Sequence, residues 1–175
     1  MASRQIFDPI VALRAAPLVS ATCTLLYAFD QDFFLGIFNR PENRARSRAL
    51  LPSYWRTFFR RGVGFVVGCL AVTTWSSIGN LYARRPALHA KRAFWWYVAG
   101  AVLSSSHLLF IPAVAPHVKA IWEADSSDAA VEGEGGSDPN ASLDDWLAAN
   151  RLRSWTVDLA AWVACAVAVT RSLEA

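Results

Sequence analysis

Charge is scarce in this chain. Charged residues make up 18% of its 175, against about 25% in soluble domains. That shortage excludes a disordered chain and an ordinary soluble domain. Cysteine is scarcer still. Cys23, Cys69 and Cys165 each sit in an apolar run, their number is odd, and no C-x-x-C pair occurs. A disulfide framework, a zinc knuckle and a dithiol oxidoreductase therefore fall away. There is no glycine-rich phosphate loop, no nucleotide fingerprint and no nucleophile elbow. The E-x-x-H pairs of a di-metal carboxylate site are missing. Haem held between helices generally wants two deep histidines, and only His107 is deep, with His89 and His117 at the ends of apolar runs. No metal and no cofactor are expected.

What is present is apolar. The hydrophobic fraction is 54%, eight residues are tryptophan, and the mean hydropathy is +0.26. The length suggests one domain over 1–175. The net charge of +3 and pI near 9.0 come from short basic clusters between apolar runs. Such clusters flank membrane segments and do not form the continuous stripe of a nucleic-acid binder. The expected fold is all-α: an integral membrane bundle of four transmembrane helices in a lipid bilayer, with no nucleic-acid partner.

The second span is the clearest. Gly62 to Leu81 is a run of 20 residues without a charge, enough to cross a hydrocarbon core of about 30 Å. Its glycines allow close helix approach. The third runs from Phe94 to about Ala115, with Trp95, Trp96 and Tyr97 as an interfacial belt, and Pro112 and Pro116 bending or ending it. Ser142 and Asp145 are spaced as a capping box, which predicts a helix from Leu143 to Thr170 about 42 Å long. Its part from about Trp155 to Val169 is the fourth span. The first span is either Ile10–Phe29, enclosing Arg14 and Pro17, or Ala15–Phe38, enclosing Asp30 and Asp32. The second choice is preferred because Arg14 and Arg40 then bracket it. Lys119 to Ala141, rich in acid, glycine and serine, reads as a flexible extramembrane loop. Asn140 opens a glycosylation sequon. The basic residues divide too evenly between the two sides to set an orientation.

Ionisable residues at membrane depth are costly, so each is a functional candidate. His107 lies past the middle of the third span; its bland alternative is a histidine bonded to Ser104 or a neighbouring carbonyl, as helix glue. At 100° per residue Trp146, Asn150, Arg153 and Asp158 form one stripe about 140° wide. A snorkelling arginine accounts for Arg153 but leaves Asp158 unexplained. Depth places His107 and Asp158 within roughly 5–12 Å of the same membrane face. On neighbouring helices, Asp158 would orient the imidazole as a general base. Asn150 and Arg153 would hold an oxyanion or carbonyl oxygen. Asp30 and Asp32 would lie towards the same face.

The order of segments, LPSYWRTFFRRG before a glycine-rich span, HLLFIP, and then W-x3-N-x2-R-x4-D-x3-W over Trp146, Asn150, Arg153, Asp158 and Trp162, resembles the anthrone-oxygenase-like family of small fungal membrane proteins. Asp30 and Asp32 depart from the small polar residues expected in its first span. The resemblance implies a cofactor-independent oxidation of an anthrone-type aromatic polyketide to an anthraquinone by molecular oxygen, in an endomembrane such as the endoplasmic reticulum. Under it, His107 is the base, Asp158 its orienter, and Asn150 and Arg153 the oxyanion stabilisers, with Trp146, Asp30 and Asp32 on the substrate. Two other classes stay open. One is a membrane protein that carries an apolar metabolite or scaffolds biosynthetic enzymes. The other is an ion or proton pathway.

Overall fold

The computed structural model describes residues 8–124 and 138–174. All regular structure among them is helical. The helices are α1 (Pro9–Gly36), α2 (Pro41–Ala83), α3 (Arg85–Ala90), α4 (Phe94–Ser106), α5 (Ile111–Glu123), α6 (Pro139–Arg153) and α7 (Leu159–Leu173). A 3-10 turn, Ile37–Asn39, extends α1. Four helical segments, Pro9–Asn39, Pro41–Ala83, Phe94–Glu123 and Pro139–Leu173, are long and apolar enough to cross a membrane. Their outward residues include Trp75, Trp95, Leu109 and Phe33, all more than 60% exposed. Such an apolar exterior suits lipid and would be a liability in water.

Three expectations about boundaries change. Both candidates for the first span lie inside the continuous helical segment Pro9–Asn39, and Arg14, Pro17, Asp30 and Asp32 all belong to α1. Pro112 and Pro116 do not end the third segment. The chain tightens into a 3-10 turn at His107–Phe110, Pro112 falls in the first turn of α5 where its missing N–H costs nothing, and the helix runs on to Glu123. The last helical segment starts at Pro139, because Asp138 is its cap and accepts from the Asn140 N–H at 3.1 Å. The loop assigned to Lys119–Ala141 thus yields both ends to helix, and its middle, 125–137, lies outside the described residues.

Packing divides the described residues into two compact units. One holds 8–25, 67–107 and 156–174; the other holds 26–66, 108–124 and 138–155. The second has a conventional apolar core of Leu35, Leu51, Trp55, Ile121, Leu143, Trp146 and Leu147. Its polar clasp joins Asn39, Ser47 and Asn140. Asn39 donates to the Asn140 carbonyl at 2.7 Å and to Asp144 at 2.6 Å, while the Asn140 amide donates to Asn39 and Ser47 at 2.7 and 2.9 Å. Arg44 donates to Asp144 at 2.7 Å.

The first unit is built differently. Tyr97, Leu88, Ala93 and Ala168 form a small apolar cluster. Around it the interior is hydroxyl- and amide-rich, with Ser20, Thr24, Thr73, Ser77, Asn80, Ser104 and Ser172 all buried. Small residues permit close approach: a Cβ on Gly100 would meet the Cys165 sulfur at 2.9 Å. Pro17 lies inside α1 and cannot donate to the Leu13 carbonyl four residues back. The Asn80 amide fills that vacant position at 2.8 Å.

Candidate functional site

In the first unit, α4 ends at Ser106 and the 3-10 turn opens on His107, which is 8% exposed. His107 Nδ1 lies 2.8 Å from Asp158 Oδ1, and Asp158 is 4% exposed. The carboxylate accepts from Nδ1–H, which leaves Nε2 as the nitrogen with a lone pair. Burial keeps bulk solvent from the pair and strengthens the bond. The arrangement is that of a base and its orienting acid. Among the described residues no group of three or more His, Cys, Asp or Glu side chains is placed to hold a metal ion.

Asp158 closes a π-helical turn, Ser154–Asp158, set between α6 and α7. Such a turn absorbs one extra residue and recurs at functional sites. It also turns Asp158 about 100° from where an unbroken α-helix would carry it. The stripe drawn from the sequence assumed an unbroken helix, so its angle for Asp158 is corrected here.

The other assigned residues lie in the second unit. Asn150 is fully buried, donates to the Ala28 carbonyl at 3.1 Å, and accepts from the Arg153 guanidinium at 2.5 Å. Arg153 is 7% exposed, so it does not snorkel to the surface. The pair is a guanidinium steadied by an amide. Trp146 packs edge-on against Trp55, ring centroids 5.2 Å apart, within the apolar core. That position makes it a core side chain as well as an assigned substrate contact. Asp32 is bonded to Arg151 at 2.6 Å, and Asp30 is exposed. The structure thus joins His107 to Asp158, Asn150 to Arg153 and Asp32 to Arg151. Asn140 is 1% exposed and its amide nitrogen is committed to the clasp. The sequon reading is corrected by this enclosure, since a glycan needs that nitrogen free.

Two features escaped the sequence reading. Thr73, Ser77 and Asn80 place three buried polar groups on one face of α2, in a run without a charge. Their spacing of four and three residues was the available signal. In the second unit Tyr27, Tyr54, Phe58, Arg61 and Phe65 line an open groove of about 350 Å³. Nothing in an apolar run marks a groove, because helix phase alone does not tell which neighbours are absent.

The chain is similar over most of its length to several fungal proteins. It is 26% identical over 165 residues to Epoxidase pydX of Acremonium sp, covering 94% of this chain and 96% of that protein. It is 27% identical over 161 residues to Epoxidase gkaX of Penicillium citrinum, covering 92% and 94%. It is 26% identical over 170 residues to Oxaleimides biosynthesis cluster protein N of Penicillium oxalicum, covering 93% and 90%. No protein-family model and no solved structure matches it.

Proposed function

We propose that this chain is an oxidative tailoring enzyme of fungal secondary metabolism. It adds oxygen to an apolar substrate taken from an endomembrane, with His107 as general base and Asp158 as its positioning residue. The observation that carries this reading is the buried 2.8 Å bond between His107 Nδ1 and Asp158 Oδ1. An isolated aspartate in lipid is expensive, and pairing with a histidine turns that expense into a base of fixed tautomer. The names of the similar proteins support an oxygenating role.

In this reading Nε2 removes a proton from a carbon acidified by a carbonyl: in an anthrone the methylene between the two aryl rings and opposite the carbonyl, in an enolisable chain the carbon beside it. The resulting anion is electron-rich, transfers an electron to molecular oxygen, and recombines to a peroxide. From an anthrone, loss of water then gives the anthraquinone. With an alkene close by, the peroxide delivers its outer oxygen to it, and the product is an epoxide that keeps the inner oxygen as a hydroxyl on the deprotonated carbon. The first outcome follows from the resemblance of the motif, the second from the names of the relatives.

The test uses the purified protein in detergent with an oxygen electrode and mass spectrometry. An anthrone is offered first, then a polyketide with an enolisable carbonyl and an alkene. Oxygen uptake above the spontaneous rate, lost in His107→Ala, supports the enzyme. A product gaining two oxygens is the hydroxy-epoxide; one gaining a single oxygen and losing two hydrogens is the quinone. Substrate binding without uptake would overturn the reading in favour of a carrier.

A further inference from the structure

Serine and threonine in membrane helices usually satisfy their hydroxyls by bonding back to the carbonyl four residues earlier. Six hydroxyls of the first unit do so: Thr22, Thr24, Ser76, Ser105, Ser106 and Thr170. Thr73 and Ser77 do not. Both are fully buried, and Thr73 Oγ1, Ser77 Oγ and the Asn80 side-chain amide oxygen Oδ1 have no hydrogen-bond partner among the described residues. The carbonyl that Thr73 would use, that of Cys69, accepts from Ser20 at 2.7 Å. Three orphaned polar groups on one helix face are too costly to be dry. Each is positioned for a water molecule, which needs two or more polar partners.

The face leads somewhere at each end. Thr74 Oγ1 and Ser105 Oγ are 3.3 Å apart, and a Cβ on Gly100 would lie 3.8 Å from Ser77 Oγ. Those two contacts run antiparallel, so Thr73, one residue before Thr74, lies level with Ser105 and Ser106 of α4. His107 is one or two residues further on, about 1.5–3 Å along the axis. At the other end Asn80 donates to the Leu13 carbonyl. Next to it Arg14 donates to the Ser172 carbonyl at 3.0 Å, and Tyr97 bonds Ser172 at 3.1 Å.

We propose that Thr73, Ser77 and Asn80 line a hydrated seam, and that its waters exchange protons between His107 and the polar end at Arg14, Tyr97 and Ser172. The hydration stands on the orphaned groups alone. The proton role rests on the reading of His107 as a base. A proton taken by Nε2 passes to these waters and one returns from them to the peroxide anion, so the imidazole is neutral for the next turnover and the reaction releases no net proton.

Three measurements on the full chain in lipid nanodiscs decide this. The first is stability. If the hydroxyls bind water, Thr73→Val and Ser77→Ala each lower the melting temperature by a few degrees. If they are dry, removing an orphaned hydroxyl leaves the melting temperature unchanged or raises it, and the seam is refuted. The second is radical footprinting by synchrotron radiolysis of water. Cys165, 1% exposed and beside Gly100, is labelled in the natural chain and less so in the Thr73→Val/Ser77→Ala double variant. An unlabelled Cys165 overturns the hydration. The third is turnover, which falls about tenfold in the double variant with a larger solvent deuterium isotope effect. Unchanged turnover and isotope effect in a hydrated seam overturn the proton role. Full activity in His107→Ala strikes the proposed function instead and leaves the hydration standing.

Discussion

Replacing Asp158 with asparagine keeps the volume of the side chain and removes the carboxylate. Asp158 is 4% exposed and its partner His107 8%, so bulk solvent does not reach the lost place. The asparagine carbonyl can still accept from Nδ1–H, but without the charge that stabilises the imidazolium formed when Nε2 takes its proton. Turned the other way, its amide donates to Nδ1 and puts the ring proton on Nε2, where a base needs a lone pair. General-base catalysis contributes about 10²–10⁴-fold, so the loss in kcat is about 3–5 kcal/mol of barrier. Stability changes less. A charge-assisted hydrogen bond gives way to a neutral one, at a cost of about 1–2 kcal/mol. Asp158→Asn should therefore be folded and nearly inactive. The assay is oxygen uptake and product mass at equal amounts of folded protein, with melting temperature measured alongside. A kcat within a few-fold of the natural chain would refute the reasoning, because it would leave the buried pair with no part in the chemistry.

Trp146→Ala removes an indole from the core it shares with Trp55 and should cost about 3–5 kcal/mol in detergent unfolding; a cost under about 1 kcal/mol would mean that this core does not hold. A Cβ on Gly62 would stand 2.5 Å from the Tyr27 hydroxyl oxygen. Gly62→Ala should therefore destabilise by about 1–3 kcal/mol, and a second change, Tyr27→Phe, should recover most of it, whereas simple additivity of the two changes would show that the clash is absent. Asn140 is enclosed by Asn39 and Ser47, so endoglycosidase treatment of the protein from fungal microsomes should leave its gel mobility unchanged; a shift would mean that the clasp opens before folding is complete.

The four long segments were legible because lipid imposes a simple rule: about 20 residues of low polarity between basic or aromatic flanks. The meeting of His107 with Asp158 was legible for a related reason. A charged group cannot be left alone at depth, and the two lie at similar distances from the ends of their spans. The π turn at Ser154–Asp158 was not legible, since a window of 100° per residue has no way to register one added residue. The ion pair of Asp32 with Arg151 was missed because position along α1 says nothing about which face meets α6. Asn140 read as a sequon because the motif is three residues long, while its enclosure depends on Asn39 and Ser47, about a hundred residues away in the chain. The buried face of Thr73, Ser77 and Asn80 could have been found. Polar residues at helical spacing inside an uncharged span declare an interior side, because lipid would not tolerate them.

Pro17 and Asn80 form a dependency with a direction in time. The proline leaves the Leu13 carbonyl without its helical donor, and the Asn80 amide supplies one from another helix. While Pro17 is present, losing Asn80 strands a carbonyl inside the first unit. Once Pro17 has been replaced by a residue with an N–H, α1 closes its own ladder and position 80 is released from that duty. A lineage descending from this chain can therefore reach the double replacement at low cost by one order of steps only, proline first. The side chain at position 80 is held in place by a choice made 63 residues earlier in the sequence.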